Sequence, residues 1–123
     1  MDNSLNGYNV LVVEDEPLVA LDLAETLTTA GAHVVTAHAI AEATVAVENI
    51  KIDAAVVDIR LGGEDATPLC QHLARRDIRF VFYSGYKEAL VGWNAVRVVE
   101  KPATREQIID AVGHLCASHQ QAA

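Results

Sequence analysis

Positive charge is scarce in this chain: nine lysines and arginines stand against seventeen aspartates and glutamates, a formal net charge of −8 at neutral pH. Such a surface repels a phosphate backbone or an anionic bilayer unless a local basic patch intervenes. The arginine cluster that comes nearest to a patch, Arg75, Arg76 and Arg79, is offset by Asp77. Nucleic acid and membrane are therefore not expected partners. Cysteine is equally thin. Cys70 and Cys116 stand 46 positions apart with no CxxC and no His-Cys ligand spacing, so both read as ordinary core or surface thiols. His33, His38, His72, His114 and His119 likewise show no ligand spacing to one another. Long apolar runs are absent too, with no window near the ~18 residues of a membrane span. The start MDNSLNGYNV lacks the basic flank and apolar stretch of a secretory leader. A cytoplasmic protein is expected.

What is present is a core. With 123 residues, 51% of them hydrophobic, the chain suits one domain over residues 1–123, without linker, repeat or low-complexity tract. Valine-rich runs of strand length recur at 9–13, 33–37, 54–59, 80–83 and 95–99. Their near-continuous apolarity suits strands covered on both faces, hence a parallel sheet. Helical patterns lie between them. Residues 17–30 open on Pro17, carry Ala20, Leu23, Ala24 and Leu27 on one face and stop at Gly31. A weaker, alanine-rich pattern covers 39–49, and another helix is expected over 67–75, with Pro68 at its first helical position. The last, 104–114 and extending toward 118, begins with Thr104 and Gln107 in a capping box. Strand and helix alternating to the end predict an α/β, flavodoxin-like three-layer sandwich, its five parallel strands in the order 2-1-3-4-5. Residues 85–94 leave room for at most two turns and hold Gly85 and Gly92, so a fourth helix there is expected to be short or irregular.

In an open sheet of this order, ligands bind outside the carboxyl ends of the strands, at the reversal between strands 1 and 3. Strand 1 runs into Glu14-Asp15-Glu16, and strand 3 ends at Asp58 before a loop containing Gly62-Gly63. Two like charges ~4 Å apart repel by about 4 kcal/mol at an effective dielectric near 20, so such clustering requires a cause. Strand 4 adds Ser84 and strand 5 adds Lys101 at the same edge. Hard oxygen donors of this kind suit Mg²⁺, which takes one or two carboxylates and accepts phosphate oxygens. An aspartate can act as nucleophile toward a phosphoryl group, with a lysine and a hydroxyl stabilising the charge on its oxygens. Glu16 reads as a solvated acid in the first turn of a helix, stabilised by the helix dipole.

These residues, in this order and at these strand ends, make the chain similar to the response-regulator receiver domains of two-component signalling over essentially its whole length. The resemblance rests on Glu14-Asp15, Asp58, Ser84 and Lys101-Pro102. It implies that a histidine kinase or histidine phosphotransfer protein gives a phosphoryl group to Asp58. It further implies that Asp15, Asp58 and the Arg60 carbonyl hold Mg²⁺, with Glu14 binding it through water, while Ser84 and Lys101 hold the phosphoryl oxygens. The Lys101–Pro102 bond is implied to be cis. The stretch FVFYSGY also resembles the F-A-T-G-Y variant found in stand-alone alphaproteobacterial regulators.

Two positions depart from the family pattern. Gly62 stands where a proline is common, which should loosen the loop, and Val98 stands where an aromatic switch is usual. Trp93 and Tyr86 read as loop-covering aromatics or as partner contacts. Two rival readings remain: a pseudo-receiver that signals without phosphate, and a metal-dependent phosphatase. The latter needs a second acid two residues after Asp58, where Arg60 stands.

Overall fold

The valine runs do become strands, and their register fixes everything at the sheet's carboxyl edge. A computed structural model describes residues 3–85, 92–93 and 95–121. The elements are β1 (Asn9–Val13), α1 (Pro17–Thr29), β2 (His33–Ala37), α2 (Ile40–Asn49), β3 (Ala54–Asp58), α3 (Thr67–Arg75), β4 (Arg79–Ser84), β5 (Val98–Glu100) and α4 (Arg105–Gln121). Pairing is parallel throughout, in the order β2-β1-β3-β4-β5. The order matches the expectation, and β3, in the middle, is buried at all five positions.

Strand pleating divides the core in two, because alternate residues face opposite sides. Leu11, Val13, Ala55, Val57, Phe80 and Phe82 pack with Ala43 and Val47 of α2 and with Leu69, Cys70 and Leu73 of α3. Val10, Val12, Val56, Val81, Tyr83 and Val99 pack with Leu23 and Leu27 of α1 and with Ile108, Val112 and Cys116 of α4. The two cysteines are free, buried and on opposite sides of the sheet.

Local chemistry explains the helix ends. Pro17 starts α1, and Gly31 closes it at a φ of 102°, where a Cβ would stand 2.8 Å from the Asn6 Cα. At the start of α4 the Thr104 N–H donates to Gln107 Oε1 (2.8 Å) and the Gln107 N–H to Thr104 Oγ1 (3.1 Å), the reciprocal bonds of a capping box.

Several boundaries differ from expectation. β5 begins at Val98, not at 95, because the Val96 N–H bonds the Trp93 carbonyl in a turn and ladder pairing resumes only near Arg97, whose carbonyl accepts from the Phe82 N–H. β3 stops at Asp58, β4 extends over Arg79–Ser84, and α4 runs on to Gln121. On α1, Thr26 is fully buried whereas Ala24 is only half-buried. The short or irregular fourth helix expected within 85–94 falls largely on residues 86–91 and 94, which lie outside the described residues, as does Tyr86. Trp93 packs edge-on against Phe80 with ring centroids 5.6 Å apart.

Candidate functional site

Glu14, Asp58, Tyr83 and Lys101 form one row along the carboxyl edge, and strand parity puts them there. Val10, Val12, Val56, Val81 and Val99 all face the α1/α4 core. Asp58 lies two residues beyond Val56, Tyr83 two beyond Val81 and Lys101 two beyond Val99, while Asp58 and Tyr83 are direct partners in the β3–β4 ladder. Glu14 lies two residues beyond Val12.

Burial makes this row electrostatically demanding. Glu14 is 1% exposed, Asp58 5% and Ser84 1%, and a buried carboxylate needs a compensating partner. Lys101 supplies it: its Nζ is 3.3 Å from Glu14 Oε2 and 3.5 Å from Asp58 Oδ2. Backbone donors add to this. The Glu16 N–H reaches Glu14 Oε1 at 3.2 Å and the Arg60 N–H reaches Asp58 Oδ1 at 3.0 Å. The balance still leaves Glu14 strained as an anion. Burial first, then its hydrogen bond and charge contact with Asp58, push its pKa up to about 7, against the opposing Glu16 N–H and Lys101. For Lys101, burial acts to lower the pKa, but the Asp58 and Glu14 carboxylates outweigh it and hold the ammonium above its ordinary value.

Asp15, half-exposed, completes the acidic group: Glu14, Asp15 and Asp58 each offer an oxygen, all within 4.8 Å of one another. Three hard donors converging on a partly open point fit a small divalent cation such as Mg²⁺, which retains waters and takes few carboxylates. Among the described residues no histidine or cysteine joins such a group.

The loop after β3 makes a hydrogen-bonded turn through Gly62 and Gly63. Leu61 is buried, the Glu64 N–H bonds its carbonyl at 2.8 Å, and Gly62 and Gly63 occupy φ values of 54° and 87°. A proline, fixed near −65°, could not adopt the Gly62 conformation. A Cβ at Gly62 would stand 3.2 Å from Asp15 Oδ2.

At the other end of the row, the Lys101 N–H donates to the Ser84 carbonyl at 2.7 Å, and the Lys101–Pro102 bond is cis. The structure thus gathers Glu14, Asp15, Asp58, Ser84, Lys101 and the backbone of Arg60 at one edge. Two contributors escaped the sequence. Tyr83 lies beneath Lys101, with Nζ 5.1 Å from its ring centroid, and the only signal for it was its parity with Asp58. The His38 ring Nδ1 lies 3.1 Å from the Glu14 carbonyl, so with its hydrogen there it ties the acidic turn to the end of β2.

This geometry has counterparts. The family model for the response regulator receiver domain matches residues 10–113. A stretch of 74 residues, 60% of the chain, is 38% identical to the transcriptional regulatory protein TcrA of Mycobacterium tuberculosis; the match spans only 29% of that protein's length. Among solved structures, a response regulator receiver protein from Sinorhizobium medicae is 29% identical, with a TM-score of 0.77 over 90% of this chain and 95% of that one. The response regulator PhyR of Brucella abortus shares the fold at 22% identity, with a TM-score of 0.83 over 97% of this chain and 52% of PhyR. The chain belongs to the response-regulator receiver domain family, and its fold is the flavodoxin-like fold of those domains. Receiver domains are signalling modules of two-component systems. No helix among the described residues is long and apolar enough to cross a membrane.

Proposed function

We propose that this domain accepts a phosphoryl group on Asp58 from a histidine kinase or histidine phosphotransfer protein, in the cytoplasm, and signals through the resulting change in charge and shape. The observation that carries this reading is the convergence of three carboxylates and one lysine at the β1/β3 reversal, with Asp58 itself held by Lys101 and the Arg60 N–H. Asp58 attacks phosphorus through a carboxylate oxygen. An O–P bond forms, the N–P bond of the donor phosphohistidine breaks, and the imidazole leaves with the electron pair and takes up a proton.

Each neighbouring group has a definite task in that step. Lys101, already a cation within ion-pair range of Asp58, stabilises negative charge on the transferred oxygens. The Ser84 hydroxyl, at the end of the adjacent strand, is the donor for another of those oxygens. Glu14, Asp15, Asp58 and the Arg60 carbonyl are the residues that would hold Mg²⁺, Glu14 through water. When bound, the ion neutralises the clustered acids and polarises the phosphoryl oxygens. Leu18 and Leu21, 79% and 55% exposed on α1 just past the acidic turn, offer an apolar contact for a protein donor.

Incubation with acetyl phosphate and Mg²⁺, followed by intact mass, tests the assignment. The wild type should gain one phosphate and Asp58→Asn none. Equal labelling of both would overturn Asp58 as the acceptor, and absence of labelling in the wild type would favour the pseudo-receiver.

A further inference from the structure

We infer that Tyr83 is a positioning residue for Lys101, holding the ammonium level with the carboxylates so that it meets a phosphoryl group without a search. The inference rests on the reading of Asp58 as phosphoacceptor. A lysine is a point charge on a flexible four-carbon stem, and on a strand end it has many places to go. Here three contacts fix it: Glu14 Oε2 at 3.3 Å, Asp58 Oδ2 at 3.5 Å and the Tyr83 ring centroid at 5.1 Å. A cation within ~6 Å of an aromatic face is attracted by the ring quadrupole.

The two carboxylates cannot do this alone through a reaction cycle. Both are metal-ligand candidates and one is the nucleophile, so their pull on Lys101 changes when an ion binds or Asp58 is esterified. The ring stays the same throughout. It is also buried: Tyr83 is 7% exposed and packs in the core with Val56, Val81, Val99, Ile108 and Val112. A tyrosine serving only to fill the α1/α4 core would not need Lys101 above its ring.

Side-chain NMR of Lys101 in the metal-free protein reads the contact directly, because the ring current shifts the methylene protons beside Nζ upfield. The wild type and Tyr83→Phe should show that shift and Tyr83→Leu should lose it. With acetyl phosphate at saturating Mg²⁺, Tyr83→Leu should label Asp58 about fivefold more slowly. Tyr83→Phe should stay near the wild-type rate, and Mg²⁺ affinity should be unchanged in both. In a Lys101→Ala background, Tyr83→Leu should have no further effect on the rate. An equal slowing in that background, or a wild-type Lys101 without the upfield shift, would overturn the inference. The wild-type shift requires no variant, so it decides the contact even if Tyr83→Leu does not fold. It also requires no phosphodonor, so failure of Asp58 to label would overturn the proposed function while leaving the Tyr83–Lys101 pairing to be judged on its own.

Discussion

Gly62 and Asp15 are in near contact across the pocket mouth: a methyl group added at Gly62 would stand 3.2 Å from Asp15 Oδ2, tighter than an ordinary van der Waals approach. A methyl group at its neighbour Gly63 would meet nothing within 4 Å, although both glycines have positive φ. The pair is a built-in control. Gly62→Ala and Gly63→Ala should each lose about 1–2 kcal/mol of stability from the left-handed backbone. Only Gly62→Ala should also weaken Mg²⁺ binding, by severalfold, as read from the Mg²⁺ dependence of thermal unfolding. Equal Mg²⁺ affinities in the two variants would count against Gly62 as a wall of the site.

The raised Glu14 pKa makes the metal-free protein pH-sensitive. The folded state holds a proton on Glu14 up to about pH 7, whereas the unfolded chain releases it near its ordinary 4.5. Between those values the folded state binds more protons, so this contribution to stability is complete below 4.5 and is lost as pH rises through 7. Urea unfolding without Mg²⁺ should show on the order of 2–3 kcal/mol more stability near pH 4.5 than near pH 8 from this group. Glu14→Gln should flatten the dependence; an unaltered slope would refute it.

Asp15→Asn should relieve the same crowding. Removing one charge from three acids within 4.8 Å should raise the melting temperature without metal by about 3–5 °C. The increase obtained on adding Mg²⁺ should shrink at the same time. A destabilised variant with an intact Mg²⁺ response would contradict the picture.

Both thiols should be inert in the folded protein. Burial is the main cause that pushes Cys70 up to about 12 and Cys116 up to about 11. The thiolate, the reactive form, is therefore negligible at pH 8. Iodoacetamide should modify neither cysteine natively and both in urea. A bridge needs Cα atoms within ~7 Å, and a sheet lies between these two, so a native intramolecular disulfide would be incompatible with the topology.

The residues legible in the sequence were those whose chemistry conflicts with their surroundings. Glu14, Asp58 and Lys101 each interrupt or end an apolar run, which a buried strand does not do without cause. Thr104 and Gln107 were legible because capping is local, and the sheet order because strand–helix alternation admits few topologies. What escaped were features defined by contact across the chain. Residues 95–99 have the hydropathy of a strand, yet the Val96–Trp93 turn delays pairing to Val98. Gly62 announces conformational freedom but not the hydrogen-bonded turn that uses it. Tyr83 looks like any core aromatic until Lys101 is seen above its ring.

β5 comprises only Val98–Glu100, and it forms one border of the sheet. Three residues give ~10 Å of ladder, too little to template the strand of another chain. A strand this short gives edge-to-edge growth by strand addition little to start from at that border.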